Sequence, residues 1–115
     1  MENLDLSIVL PAYNESENLP DVLNNLKKVL ARAKIRAEII VVDNGSTDDS
    51  VSYLNQNFKD QFKLIKHTKN RGFSAAVNIG ARATKGDLIL LLNNDVNPKL
   101  DFLENVEKLI TNQPI

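Results

Sequence analysis

Asp43 and Asp95 each close a strongly apolar run, "EIIVVD" and "LILLLNND", in a chain of 115 residues. Carboxylates so placed would repel a phosphate unless a cation stood between them. Mg²⁺ or Mn²⁺ suits that role, because hard divalent ions take one or two carboxylates together with water and phosphate oxygens. Tyr13, in "PAYNES", offers a flat face on which a base could stack. Arg71, in "HTKNRGFS", carries a planar fork able to reach a phosphate or a base carbonyl. Together these residue types point to an anionic ligand that carries a planar ring.

Each residue also has a plainer role. Asp43 precedes Asn44-Gly45 and could shape a turn or cap a helix. Asn93 and Asn94 suit Asx turns, and Asn97 suits the cap of a following helix. Tyr13 could pack in a core, Arg71 could be a solvated charge, His67 an edge-strand residue, and Asp87 the start of a strand. Chance becomes a poor account only if the loops that hold these residues share one place.

The elements decide that. Four apolar runs, residues 6–10, 38–42, 62–67 and 87–92, have strand length. The second and fourth are nearly continuous in Ile, Val and Leu, as in strands buried on both faces. The third alternates Phe62 and Leu64 with Lys63 and Lys66, which predicts a sheet edge. Between them lie helical patterns. Leu19, Val22, Leu23, Leu26, Val29, Leu30 and Ala33 follow the i, i+3, i+4, i+7 rule. Pro20 falls in the first turn, where a proline gives up no intrahelical bond. A second helix is predicted near "STDDSVSYL", with Ser46 and Asp49 as a capping box and Asp48 favouring the positive end of its dipole. A third, "FSAAVNIGARATK", has the small residues that close packing needs, with Gly86 as its stop. Pro98 opens a fourth, striped by Leu100, Leu103, Val106 and Ile110.

The order β-α-β-α-β-α-β-α implies an α/β fold: a Rossmann-like, open, mainly parallel sheet of four strands with right-handed crossovers. Parallel strands put "PAYNES", "DNGSTDD", "HTKNRGFS" and "NNDVNP" on one rim, where ligands of open α/β sheets bind. The loops that enter the strands, "RAKIRAE" and "ATKGD", read as solvated connections.

Composition narrows the classes. Fourteen Lys and Arg against fifteen Asp and Glu give a net charge of −1, which offers no general affinity for nucleic acid or anionic membrane. Cysteine is absent, so thiolate chemistry and thiolate zinc sites are excluded; His67 is the one histidine. The longest apolar run is far below the roughly 20 residues of a membrane span. A cytoplasmic domain is expected, at the inner face of a membrane if a longer protein carries an anchor. No G-x-G-x-x-G or P-loop follows the first strand, and no acidic pair stands there as a phospho-acceptor domain would need.

Taken together, the segments resemble the donor-binding, N-terminal half of a family-2 glycosyltransferase, an inverting enzyme of the GT-A fold. "SIVLPAYNESENL" resembles the family's first strand and Pro-x-Tyr-Asn-Glu loop. "IIVVDNGSTDDS" is similar to the segment whose aspartate recognises the base, and "NRGFSAAVNIGARATKGDLILLLNNDV" to the third loop, its helix and the strand that ends in the metal motif. The resemblance implies transfer of a sugar from a UDP- or dTDP-sugar to a polysaccharide or other glycan. Pro11, Ala12 and Tyr13 would lie against base and ribose, and Asp43 would accept the ring N–H of uracil or thymine. Arg71 sits in a loop that reaches the nucleotide in some relatives. Glu15 and Asn78 match recurrent positions, Glu15, Asn93 and Asn94 would belong to the nucleotide-sugar site, and Asp95 would hold the Mg²⁺ or Mn²⁺. Asn93 departs from the family, which often has a carboxylate there; an amide adds no charge to a metal. An "NND" ending resembles members that act on cell-surface polysaccharides, including transfer of rhamnose from a dTDP-sugar.

No residue matches the family's general base, which normally follows the metal motif, and Asp101 and Glu104 read as solvated helix positions. The expectation is one truncated domain over 1–115, the donor half of a longer enzyme. A non-catalytic module that binds nucleotide sugars is the alternative. An open edge on the fourth strand would favour a homodimer.

Overall fold

The computed structural model describes residues 4–14, 19–32, 35–47, 52, 56, 62–93, 105, 106 and 108. Four strands and two helices are complete: β1 (Leu4–Ala12), α1 (Leu19–Arg32), β2 (Ala37–Asn44), β3 (Lys63–His67), α2 (Phe73–Arg82) and β4 (Gly86–Leu91). Ser52 and Gln56 are helical within the segment expected to be helical after β2, as are Asn105, Val106 and Lys108 near the C-terminus. The proposed caps Asp49 and Asn97, with Asp48, lie outside the described residues.

All three strand pairs are parallel, in the order β3-β2-β1-β4. The chain therefore steps from β1 outward to β2 and β3, then returns past β1 to form β4. Right-handed crossovers in opposite directions put their helices on opposite faces. Leu19, Val22, Leu23, Leu26 and Val29 of α1 pack with Leu6, Ile8, Leu10 and Val41 on one face. Ala76 of α2 packs with Val9, Ile40 and Val42 on the other. Each buried Leu or Val of α1 contributes about 2 kcal/mol. The alternation of Ile8 and Val9, or Val41 and Val42, between the two clusters is the two-residue period of a strand.

β2 is central and buried, and β3 is an edge, as its alternation predicts. β4 differs from expectation. Leu88 (40%), Ile89 (52%) and Leu91 (42%) are exposed. β4 is the other edge, and α2 packs over β1 and β2 rather than over it. An apolar run sets a strand's preference for cover, not whether an element reaches it.

α2 also ends sooner than expected. The Thr84 hydroxyl and N–H both donate to the Ala81 carbonyl, at 2.6 and 3.2 Å, and close the helix after Arg82. Gly86 is instead the first residue of β4, where a Cβ would lie 2.6 Å from the Leu6 carbonyl carbon.

The entering loops are not merely solvated. Glu38 Oε2 accepts the Ser7 hydroxyl at 2.5 Å and the Lys85 N–H at 2.6 Å, while Ser7 Oγ accepts the Gly86 N–H at 2.8 Å. Lys63 Nζ lies 2.9 Å from Glu38 Oε1, a charge contact without hydrogen-bond alignment. One carboxylate thus joins all four strands at the end opposite the candidate rim.

Candidate functional site

The carboxyl ends of the strands meet as the parallel order requires. Ala12 pairs with Asp43, Asp43 with Lys66, and Asn44 with His67 across adjacent strands. On the other side of β1, Val9 pairs with Leu91, two residues before Asn93. Strand order reverses between β1 and β4, the kind of switch point where a crevice opens.

Asp43 is 2% exposed. Its Oδ1 accepts the Ser46 N–H at 3.1 Å, which is the turn-shaping role. Its Oδ2 is shielded from solvent and has no hydrogen-bond partner among the described residues. A buried carboxylate oxygen without a donor is costly, so turn chemistry accounts for only half of this side chain.

Tyr13 projects from the end of β1 and is 43% exposed, so it is not a core aromatic. Beside it, Asn14 holds φ of 52°, a left-handed conformation that asparagine tolerates better than most residues. Its N–H donates to Ser46 Oγ at 2.9 Å, and its Oδ1 accepts the Thr47 N–H at 2.7 Å. The Tyr13 and Asp43 loops are thereby locked together. Ser46 thus accepts the Asn14 N–H at its hydroxyl oxygen and donates its own N–H to Asp43. Pro11 is half-buried and Ala12 buried at the end of β1.

Arg71 is exposed, in the loop after β3. Its backbone N–H donates to Asn44 Oδ1 at 3.0 Å, and Asn44 Nδ2 donates to Asn70 Oδ1 and the Gly72 carbonyl at 3.0 and 3.1 Å. Gly45 permits the close approach: at φ 82°, a Cβ there would lie 2.4 Å from the backbone of Lys69 and Asn70. His67 is an edge-strand residue but buried, with Nδ1 3.2 Å from Asn44 Oδ1.

Along the rim the order is Arg71, Asp43, Tyr13 and then Asn93, which is exposed beyond β4. Strands lie about 4.8 Å apart, so the ends of β2 and β4 are about 10 Å apart and those of β3 and β4 about 14 Å. Arg71 therefore sits in the loop beside the end of β2, distant from the end of β4. Asn78 is exposed on α2. Glu15, Asn94 and Asp95 lie outside the described residues. Among the described residues, no three His, Asp or Glu side chains gather as a metal site.

Asn14, Asn44 and Asn70 are the rim residues that the sequence left unassigned. Their partners are mostly 23 to 33 positions distant. The available signal was the abundance of asparagine in three loops of one rim.

Known proteins bear on this geometry. A dolichyl-phosphate beta-glucosyltransferase of Trichomonas vaginalis is 37% identical over 111 residues, covering 90% of this chain and 33% of that protein. A mannosyltransferase of Pyrobaculum calidifontis, solved with GDP-Man and Mn²⁺, superposes with a TM-score of 0.77 at 24% identity, over 95% of this chain and 33% of its own. Glucosyl-3-phosphoglycerate synthase of Mycobacterium tuberculosis, solved with Mn²⁺, UDP and glucosyl-3-phosphoglycerate, gives 0.72 at 25% identity, over 94% and 40%. The chain thus spans about a third of the curated relative's length, and its parallel sheet is the N-terminal Rossmann-like part of the GT-A fold. Residues 7–114 match the profile of Glycosyl transferase family 2, and the chain belongs to that family.

Proposed function

We propose that residues 1–115 form the donor-binding half of an inverting glycosyltransferase that takes a sugar from a nucleoside diphosphate. The observation that carries this is the half-used carboxylate of Asp43 beside an exposed Tyr13 at the rim. Asp43 Oδ2 would accept the ring N–H of the base, while Tyr13 stacks on it and Pro11 and Ala12 border base and ribose. Because Oδ2 is shielded, the rim must part locally for the base to reach it. The β3-β2-β1-β4 order supports Arg71 as a contact to the base and argues against a role on the diphosphate. Glu15 would adjoin the same loop. Asn93 and Asn94 would meet the sugar and diphosphate past β4.

Asp95 would hold a Mg²⁺ or Mn²⁺, which when bound would neutralise the diphosphate as it leaves. The donor set offers one carboxylate at Asn93-Asn94-Asp95, so this chain would hold the ion loosely. In the transfer itself, an acceptor oxygen forms a bond to C1 as the bond to the diphosphate oxygen breaks, with inversion.

The acceptor sets what else is needed. A glycan hydroxyl requires a general base within reach. A polyprenyl phosphate, the acceptor class in the name of the Trichomonas relative, is already an anion at neutral pH, since such phosphates have a second pKa near 6. We therefore carry the phosphate acceptor as a second reading, with the active site at the cytoplasmic face of a membrane. Donor consumption stimulated by a polyprenyl phosphate and not by oligosaccharides would select it; the reverse would select the glycan.

Calorimetric titration with UDP, dTDP and GDP, with and without Mn²⁺, tests donor binding. UDP or dTDP should bind in preference to GDP, and more tightly with Mn²⁺. A folded chain that binds none of the three would end the proposal.

A further inference from the structure

We propose that Asn44 is a positioning residue that holds the 70–72 loop so that Arg71 stands beside Asp43 in the donor site. The role in binding rests on Asp43 and Arg71 as base contacts; the clamp itself does not.

Asn44 is 6% exposed and ends β2, one residue beyond Asp43. Successive strand residues point to opposite faces, so Asp43 and Asn44 address different neighbours from a single strand end. The Asn44 amide makes four polar contacts. Oδ1 accepts the Arg71 N–H and faces His67 Nδ1; Nδ2 donates to Gly72 O and Asn70 Oδ1. Two of these partners are backbone groups of fixed polarity, a donor and an acceptor, which settles the orientation of the amide. Asn70 extends the clamp, as its Oδ1 also accepts the Gly72 N–H at 2.7 Å. Because Asn44 Oδ1 can only accept, His67 must carry a hydrogen on Nδ1; its Nε2 has no partner among the described residues. One side chain thus holds a loop, the Nδ1–H of a histidine and the Arg71 backbone at the rim. Turn formation alone would need none of the contacts to residues 67–72.

Two readouts in the full chain test this. The first needs no ligand. In Asn44→Ala, the Arg71 and Gly72 amides should exchange at least about tenfold faster, because a tenfold loss of protection is a tenfold shift in the opening equilibrium. The ¹⁵N signal of His67 Nδ1 should lose its hydrogen-bonded N–H character. If that variant fails to fold, Asn44→Asp serves: it keeps the acceptor for Arg71 and loses both Nδ2 donations. Gly72 should then lose protection while Arg71 keeps it. Unchanged exchange at both amides in either variant overturns the clamp.

The second readout is UDP affinity in wild type, Asn44→Ala, Arg71→Ala and the double variant. Each single change should weaken binding by roughly three- to tenfold, the scale of one hydrogen bond. The double variant should be no weaker than Arg71→Ala alone, since Asn44 acts through Arg71. Strict additivity, or no effect of Asn44→Ala, overturns positioning. If wild type binds no nucleotide, the donor-site proposal fails, and the exchange data still decide the clamp.

Discussion

A single carboxylate illustrates how two uses can coexist. Asp43 gives one oxygen to the Ser46 N–H and keeps the other buried and unpartnered among the described residues. Asp43→Ala should therefore weaken UDP binding by tenfold or more, about 1.4 kcal/mol. Asp43→Asn keeps the shape and one acceptor and should fall between. Equal affinity in wild type and Asp43→Ala would exclude the residue from the site. That Tyr13, Asp43 and Arg71 follow parallel strands onto one rim was legible from the order of the elements. Asn44 was not. An asparagine before a glycine reads as a turn, and its contacts to residues 67–72 exist only after β2 and β3 pair.

At the level of elements, close packing and the strand-start network have separate consequences. A Cβ on Gly80 of α2 would lie 2.5 Å from Val9 Cγ1 and 3.0 Å from Val42 Cγ2. Gly80→Ala raises helix propensity but overpacks the sheet, so a net loss of about 1–3 kcal/mol is expected by chemical denaturation. A stabilised variant would show that α2 sits farther from β1 and β2. Burial pushes the Glu38 carboxyl up, but the Ser7 hydroxyl, Lys63 and the Lys85 N–H together outweigh it and hold its pKa below the ordinary 4.5. A lowered folded pKa means that the unfolded chain binds the proton first as pH drops. The contribution of Glu38 to stability is thus whole above pH 4.5 and is lost as pH falls through the lowered value. Wild type should exceed Glu38→Gln in stability at pH 7 and lose that margin in acid. A margin independent of pH would contradict the network. The small residues of α2 suggested close packing from sequence. The Glu38 network did not show there, because its bonded members are 25 to 79 positions apart.

For the whole molecule, the free edge of β4 is the notable surface. Leu88, Ile89 and Leu91 are exposed, and no further strand pairs with β4 among the described residues. We propose that two copies pair along β4 about a twofold axis, since an open apolar edge invites a matching strand. Light scattering should show a dimer at micromolar concentration, and Ile89→Lys should return it to monomer. A monomer at high concentration in the parent chain would refute this. The sequence by itself determined the alternation of strand and helix, and hence the parallel sheet and the rim that gathers Tyr13, Asp43, Arg71 and Asn93. Those follow from local hydrophobic periods and from the connection that parallel strands require. Tertiary structure alone decided the β3-β2-β1-β4 order, which puts Arg71 with Asp43 and separates both from β4. It also decided which apolar strand lacks cover and which asparagines lock the loops. Such outcomes depend on contacts between distant segments, and a local pattern carries no information about which segments will meet.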